Sequence, residues 1–438
     1  MDSFVSELTQ DGQILTVERE VDPRFELAAV TQAVQGRGNE ALLFKNVRGT
    51  RFPVVSNLYG SPERIARVLG ARPRGFCQAW AQALTGGPHH PRDHSGQADA
   101  SLHRGQLSDL PLIWYSEHDG GPYFTGGVFH AKDPDRRIPN LSFHRSMYIS
   151  DRELRVRLAP GHDLTAYHQR AEESGAPLEA AILIGTSPEV FLAAASRLPR
   201  EGNELELAER LGGPIELRHC QEIDLEVPAD THIVIEGRFL PSVRRPEGPF
   251  GEFMGYYVPV EDNAVFEVLN VTWKEGALFH SINCGSGEEV LPLGLISAAT
   301  SYQYLSSKFT GVADVAFHPL INLTAIKLDQ QYAGQAAEIA RCALEEPIRS
   351  RICAVIDPDI DIYDLHDVIW ALLTRGEGAK DVVSMPGRPS FFRDPQSSWG
   401  RFAVDACVPW GRRAEFKRKR IPGMNDIRIS EYVREYAS

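Results

Sequence analysis

Apolar positions recur at helical intervals in a few stretches of this chain and at alternate positions in many more. Leu27, Val30, Ala33 and Val34 line one face of a helix, and ALLFKNV and FPVVSNL read as short strands. Residues 1–110 are therefore expected to form a mixed α/β region. From 111 to 287 the period shortens to two. YFTGGVFHA, NLSFHRSMYIS and ELRVRLA, parted by turn signals such as KDPDRR, read as successive hairpin strands. Helical segments at 163–174 and 188–196 interrupt them before strands resume at IELRHC, HIVIEGRF, FEVLNVTW and ALFHSINC. Many short strands broken by a helix or two predict a barrel-like β-domain rather than a doubly wound sheet. Val290, Leu293, Leu295, Ile296, Ala299, Tyr302 and Leu305 predict a long connecting helix over 288–310. Over 311–438, VADVAFH, INLTAIKL and RICAVID alternate with helical stretches at 333–344 and 364–375, an α/β pattern.

The composition, 42% hydrophobic and 24% charged over 438 residues, is that of a globular protein long enough for two or three domains. No run approaches the ~20 apolar residues that span a bilayer. The first residues, MDSFVSELTQDGQ, lack the basic and apolar blocks of a secretory signal, so a cytoplasmic protein is expected. A net charge of −13 argues against nucleic acid as a partner. The basic run GRRAEFKRKR near the C-terminus is expected to be a solvated face. The six cysteines form no CxxC pair, which excludes a zinc ribbon or a disulfide framework and leaves them as small buried hydrophobes. TGGPHHPRDHSGQ at 85–97 reads as a mobile loop; its histidines have no ligand partner at helical or strand spacing.

Candidate chemistry concentrates in PEGPFGEFMGYY, residues 246–257. Glu247 and Glu252 are separated by Gly-Pro-Phe-Gly, which stops a helix and favours a shaped turn. Two carboxylates on such a turn can share a site, one holding a proton and the other a charge; the alternative is two exposed glutamates. In PNLSFHRSMY, strand alternation puts Asn140, Ser142 and His144 on one face and Arg145 on the other. Arg145 calls for an anionic partner, whether a substrate or a surface carboxylate. His162 in LAPGHDL and Glu216 in GGPIELRHC are further candidates, although their spacing from Asn140 does not by itself join them. DPDIDIYD offers Asp357, Asp359, Asp361 and Asp364. It lacks the tight-turn glycine and twelfth-position glutamate of a calcium loop, so turn and helix-cap roles are favoured.

These segments together resemble the UbiD family of reversible decarboxylases, which use prenylated FMN. PEGPFGEFMGYY is similar to the family's hallmark loop, PNLSFHRSMYI to its Asn-and-Arg strand, LAPGHDL to its histidine segment, IELRHC…LEVPAD…IVIEG to its metal-glutamate stretch, and DIDIYDLHDVIWALLTR to part of its C-terminal domain. The matches occur in family order over most of the chain. The resemblance implies an α+β / α/β multidomain protein: a flavin-reductase-like split β-barrel over 111–287, the connecting helix, and a C-terminal α/β domain that forms a homodimer. It implies Asn140, His162 and Glu216 as ligands of a divalent metal, Mn²⁺ or Mg²⁺, with K⁺ near Glu216. Ser142, Phe143, Arg145, Gly161 and Arg401 would join these ligands around prenylated FMN. It also implies Arg145, Glu247 and Glu252 as a catalytic charge network. The activity implied is non-oxidative decarboxylation of an aromatic or α,β-unsaturated carboxylic acid by cycloaddition to the modified flavin, with Glu252 as proton donor. A flavin prenyltransferase would supply the cofactor. The chain departs from the family pattern at Gly161, at NCGSGEE (283–289) and at Arg401, where lysine is common. Three other readings stand beside this one: an oxidoreductase with ordinary FMN on the same barrel, a non-catalytic homologue, and a calcium-binding protein through DPDIDIYD.

Overall fold

The computed structural model describes residues 1–86, 101–199, 202–318, 322–345, 350–386 and 400–432. The histidine-rich stretch from 87 onward lies outside them.

Three main sheets carry the molecule. The N-terminal sheet orders Ile14–Val17, Ala41–Phe44, Val54–Ser56 and Phe279–Ser281. Its last strand comes from far downstream and pairs in parallel with Val54–Ser56, so the N-terminal region is completed by chain that follows the barrel.

The second sheet has nine strands and antiparallel pairing throughout. At its centre the long strands Ile233–Glu247 and Glu261–Trp273 pair through two bulges, at Glu236/Gly237 and Phe239/Arg244. Bulges bend and twist a strand, and here they curl the sheet around Phe129, Phe239 and Phe266, whose rings lie 5.0–6.0 Å apart. This is the split barrel. The helices expected at 163–174 and 188–196 are Asp163–Glu173 and Pro188–Ala194, and a third, Glu204–Gly212, lies in a stretch where none was expected.

Gly287–Lys308 is the connecting helix and packs against Phe76–Thr85. Beyond it a five-stranded sheet orders Val312–His318, Leu323–Leu328, Ile352–Ile356, Arg401–Ala406 and Val382–Met385. Successive strand residues face opposite sides. Cys353 and Val355 join the core that includes Ile339 of Gln335–Cys342, whereas Ala354 and Ile356 pack with Val368 and Ala371 of Leu365–Arg375. Among the described residues no helix is long and apolar enough to cross a membrane.

Glu288, in the first turn of the connecting helix, is fully buried. Its carboxylate accepts the Asn57 and Tyr59 amides and meets His280 Nε2 at 2.9 Å, joining that helix to the N-terminal sheet. Removing one partner of a buried charge cluster leaves the others desolvated and unmatched. Glu288→Ala is therefore expected to lose about 3–5 kcal/mol in urea unfolding, and an unchanged midpoint would refute that role.

Candidate active site

The 246–257 segment is a small hairpin. Phe250–Gly251 pairs with Tyr257–Val258, and the Glu252 amide donates to the Tyr256 carbonyl at 2.9 Å. Gly248 has φ of +102°, a region open to glycine without strain. The hairpin is clamped by the preceding loop. Asp119 Oδ1 accepts the Gly251 amide at 2.9 Å, and the Gly120 amide donates to the Pro249 carbonyl at 2.7 Å. A Cβ at Gly120 would fall 2.0 Å from the Gly248 carbonyl oxygen, so the two loops touch backbone to backbone.

Glu247 closes the long barrel strand and is fully buried; Glu252 sits five residues on and is 25% exposed. Between them lies Arg145, from the break separating Pro139–Phe143 and Ser146–Ser150. Arg145 Nε and Nη2 donate to the two oxygens of Glu247 at 3.0 and 2.9 Å, and Nη1 donates to Glu252. Its guanidinium also stacks 4.8 Å from the Phe250 ring. Glu247 accepts two further bonds, from the Tyr123 hydroxyl at 2.7 Å and the Asn263 amide at 2.9 Å. It is thus a saturated anchor, whereas the Glu252 carboxylate has, among the described residues, one hydrogen-bond partner, Arg145. Burial and the Glu247 charge push the Tyr123 hydroxyl well up, so it remains a donor. Tyr123, Met147, Phe250 and Val258 form an apolar cluster around the pair. Tyr256 is 65% exposed and does not shield Glu252.

A third acid adjoins this group. The 283–289 segment brings Gly285 against Phe253, where a Cβ would meet the Phe253 carbonyl oxygen at 3.1 Å. Glu289 accepts the Gly285 amide, and burial, with the Glu252 charge adding, pushes its carboxyl up to about 7.

On the other face of the Asn-and-Arg strand the side chains connect in series, as alternation requires. Ser142 Oγ donates to Asn140 Oδ1 at 3.0 Å, and His144 Nε2 lies 3.0 Å from Ser142 Oγ. The His162 ring sits 5.7 Å from that of His144, at the N-terminal end of Asp163–Glu173. Burial, and behind it His162, push the His144 imidazole down to about 3, so it is neutral. Phe143 packs edge-on against Phe191 at 4.9 Å. Gly161 has φ of +84°, which disfavours any larger residue there.

Glu216 does not join this group. Its side chain is exposed, and its backbone carbonyl accepts the Ala229 amide. The acid that does is Glu204, 4% exposed, in the first turn of the unexpected helix. Glu204 Oε2 accepts the Leu141 amide at 3.0 Å, and its carboxyl hydrogen-bonds the Asn140 side chain. Burial pushes that carboxyl up to about 7, with Asp163 nearby adding to the effect. A buried acid with a second, half-buried acid near it, beside an amide, is a donor set that can serve a cation. In sequence, Glu204 looks like an ordinary first-turn acid complementing a helix dipole; no local signal marks it.

Arg401 is buried in the C-terminal sheet opposite Met385, and no described contact joins it to Arg145 or Asn140. The DPDIDIYD acids are spent on their own chain. Asp357 and Asp359 bind Arg375 at 2.7–2.8 Å, Asp361 binds Arg74, and Asp364 caps the following helix through the His366 amide. The calcium reading fails on that pairing.

Residues 5–84, 92–287 and 291–408 match the N-terminal, Rift-related and C-terminal domains of UbiD, 3-octaprenyl-4-hydroxybenzoate carboxy-lyase. The chain is 31% identical over 431 residues to an anhydromevalonate phosphate decarboxylase from Methanothermobacter thermautotrophicus, covering 95% of this chain and 99% of that one. In structure it resembles the UbiD-class enzyme HmfF from Pelotomaculum thermopropionicum in complex with FMN, with TM-score 0.92, 32% identity and 99% of both chains covered. An evolved dimeric form of HmfF in complex with prFMN matches at TM-score 0.89, again with 32% identity and 99% of both chains covered. The protein therefore belongs to the UbiD family of carboxy-lyases.

Proposed function

We propose that this chain is a prenylated-FMN-dependent decarboxylase of an aromatic or α,β-unsaturated acid, with residues 111–287 as its cofactor domain, acting in the cytoplasm as a homo-oligomer. The observation that carries the reading is the Glu247–Arg145–Glu252 array, with one carboxylate saturated and the other bonded, among the described residues, to the arginine alone. The flavin is supported by HmfF, whose structures are complexes with FMN and prFMN.

The residues present fit a metal-held cofactor phosphate. Glu204 is a buried acid with no cationic side chain bound to it among the described residues; Asn140, which it hydrogen-bonds, supplies an oxygen donor, and His162, beside His144 of the same strand face, a nitrogen donor. That donor set suits Mn²⁺ or Mg²⁺. In this reading Asn140, His162 and Glu204 hold the metal, replacing Glu216, and Ser142, Phe143 and Gly161 line the phosphate end. The exposed Glu216 leaves K⁺ without its expected carboxylate. When bound, the prenylated flavin supplies the electron sink for loss of CO₂. The protein's part is position and proton. Glu247 fixes Arg145, which orients the substrate carboxylate by charge-assisted hydrogen bonds. Phe250 and its apolar neighbours exclude water, strengthening that attraction. Glu252 gives its proton to the carbon that carried the carboxylate.

Co-expression with a flavin prenyltransferase and CO₂ release over a panel of acids tests the reading. The panel spans aromatic acids and, given the methanogen relative, anhydromevalonate phosphate. Release from at least one acid, dependent on the prenyltransferase, is the expected result. Unmodified FMN as the extracted flavin, with no CO₂ from any acid, would favour the oxidoreductase.

A further inference from the structure

Among the described residues, Arg145 is the one cation bonded to the Glu247–Glu252 hairpin's carboxylates, and Glu247 and Glu252 already take its donors. The chain around it is acidic. Residues 246–307 cover the hairpin, the second long barrel strand, the 283–289 loop and most of the connecting helix. They hold eight Asp and Glu, a single Lys and no Arg. That lysine, Lys274, follows the end of Glu261–Trp273 remote from the hairpin, where it binds Asp2 at 2.5 Å and the Asp230 carbonyl at 3.3 Å. The clamping loop on the other side, 115–122, has Glu117, His118 and Asp119 but no Lys or Arg.

Into this acidic surround the first turn of the connecting helix sets Glu289. One of its oxygens accepts the Gly285 amide, and the other lies 3.5 Å from Cys284 Sγ. Cys284 packs on the Tyr123, Met147, Phe250 and Val258 cluster, whose Phe250 ring stacks on Arg145. Glu289 is thus one residue removed from the catalytic array. Glu289 and Cys284 are each half-buried. Yet burial pushes the Glu289 carboxyl up to about 7 and the Cys284 thiol well up, with Glu252 adding to both. Groups that keep accessible surface while losing water's stabilisation line a cleft rather than the outer surface.

Burying a charge is costly unless an opposite charge meets it. Arg145 can orient one carboxylate, and this wall offers a second anion only more acid. A carboxyl that holds a proton can instead donate a hydrogen bond to a neutral oxygen. We infer that Glu289 is a specificity-determining residue, which faces the substrate beyond its reacting carbons, donates to a neutral acceptor there, and excludes acids with a second anionic group. The inference rests on the decarboxylase reading and narrows its substrate class to acids with one anionic group.

The test compares kcat/KM, on enzyme loaded with prenylated FMN, for pairs of acids matched in shape. The pairs are 4-acetylbenzoate with terephthalate, 4-acetylcinnamate with 4-carboxycinnamate, and anhydromevalonate with its phosphate. In each pair that reacts, the singly anionic acid should be favoured by about 100-fold or more. Glu289→Gln, whose amide still accepts from Gly285 and still donates, should narrow that ratio about tenfold while changing the singly anionic acid little. Glu289→Ala should slow the acetyl acids about tenfold relative to benzoate and cinnamate, which lack the acceptor. A purely structural role would depress both members of a pair alike; flavin absorbance and urea unfolding report that each variant is folded and loaded. Equal turnover of both members by the wild type, or a ratio unmoved in both variants, overturns the assignment and leaves the decarboxylase standing. No CO₂ from any acid of the panel or of these pairs overturns both.

Discussion

Glu252→Gln is expected to yield a folded, flavin-loaded protein whose CO₂ release falls by about 10³-fold or more, the upper part of the range for loss of a general acid. The substitution keeps an oxygen where Oε1 accepts from Arg145 but puts an amide nitrogen in place of the ionisable oxygen, removing the transferable proton and the charge that pairs with Arg145. Because the site is 25% exposed and Glu247 holds the arginine independently, stability should change by less than ~1 kcal/mol. Glu247→Gln separates the roles. It disturbs four bonds at a fully buried position, so folding and activity should both suffer. The measurements are single-turnover CO₂ release, flavin absorbance and urea unfolding on each variant. Turnover by Glu252→Gln near the wild-type rate would remove Glu252 as the donor and turn attention to Glu289, whose carboxyl burial pushes up to about 7.

The second large effect concerns the metal. Glu204→Gln is expected to leave purified protein with little bound Mn²⁺ and little flavin, while Glu216→Gln retains both. Removing the one buried carboxylate from the donor set should weaken metal binding by at least the roughly 10–100-fold typical of lesser, outer-shell changes. The amide still accepts from Leu141, so the fold is kept. Elemental analysis and the flavin spectrum are the readouts, and both stand apart from activity. Equal occupancy in the two variants would return the choice of ligand to an open question.

How legible these features were depended on how local they are. Glu247 and Glu252 belong to one turn, and Gly-Pro-Phe-Gly announces a turn wherever it occurs. Asn140, Ser142 and His144 obey the two-residue period of a strand, and the structure strings them together in that order. The break after Phe143 that lets Arg145 face the glutamates is not written in any single residue. Glu204 escaped for a different reason: its burial is set by barrel strands some sixty residues away, through the Leu141 amide. Tyr123 and Asn263, which saturate Glu247, come from strands 124 and 16 residues distant. DPDIDIYD shows the converse, a suggestive local pattern emptied of metal by Arg375 from the next helix.

Sequence alone determined the succession of α/β, β-rich and α/β regions with their connecting helix, the turn at 246–257 and the family, because periodicity and turn chemistry act over a few residues at a time. Tertiary structure alone decided which carboxylate anchors Arg145, which acid joins Asn140, and where Phe279–Ser281 finds its partner strand. Those choices depend on burial and on hydrogen bonds between distant segments. Burial gives Glu204 and Glu289 the raised proton affinity that their neighbours in sequence could not predict.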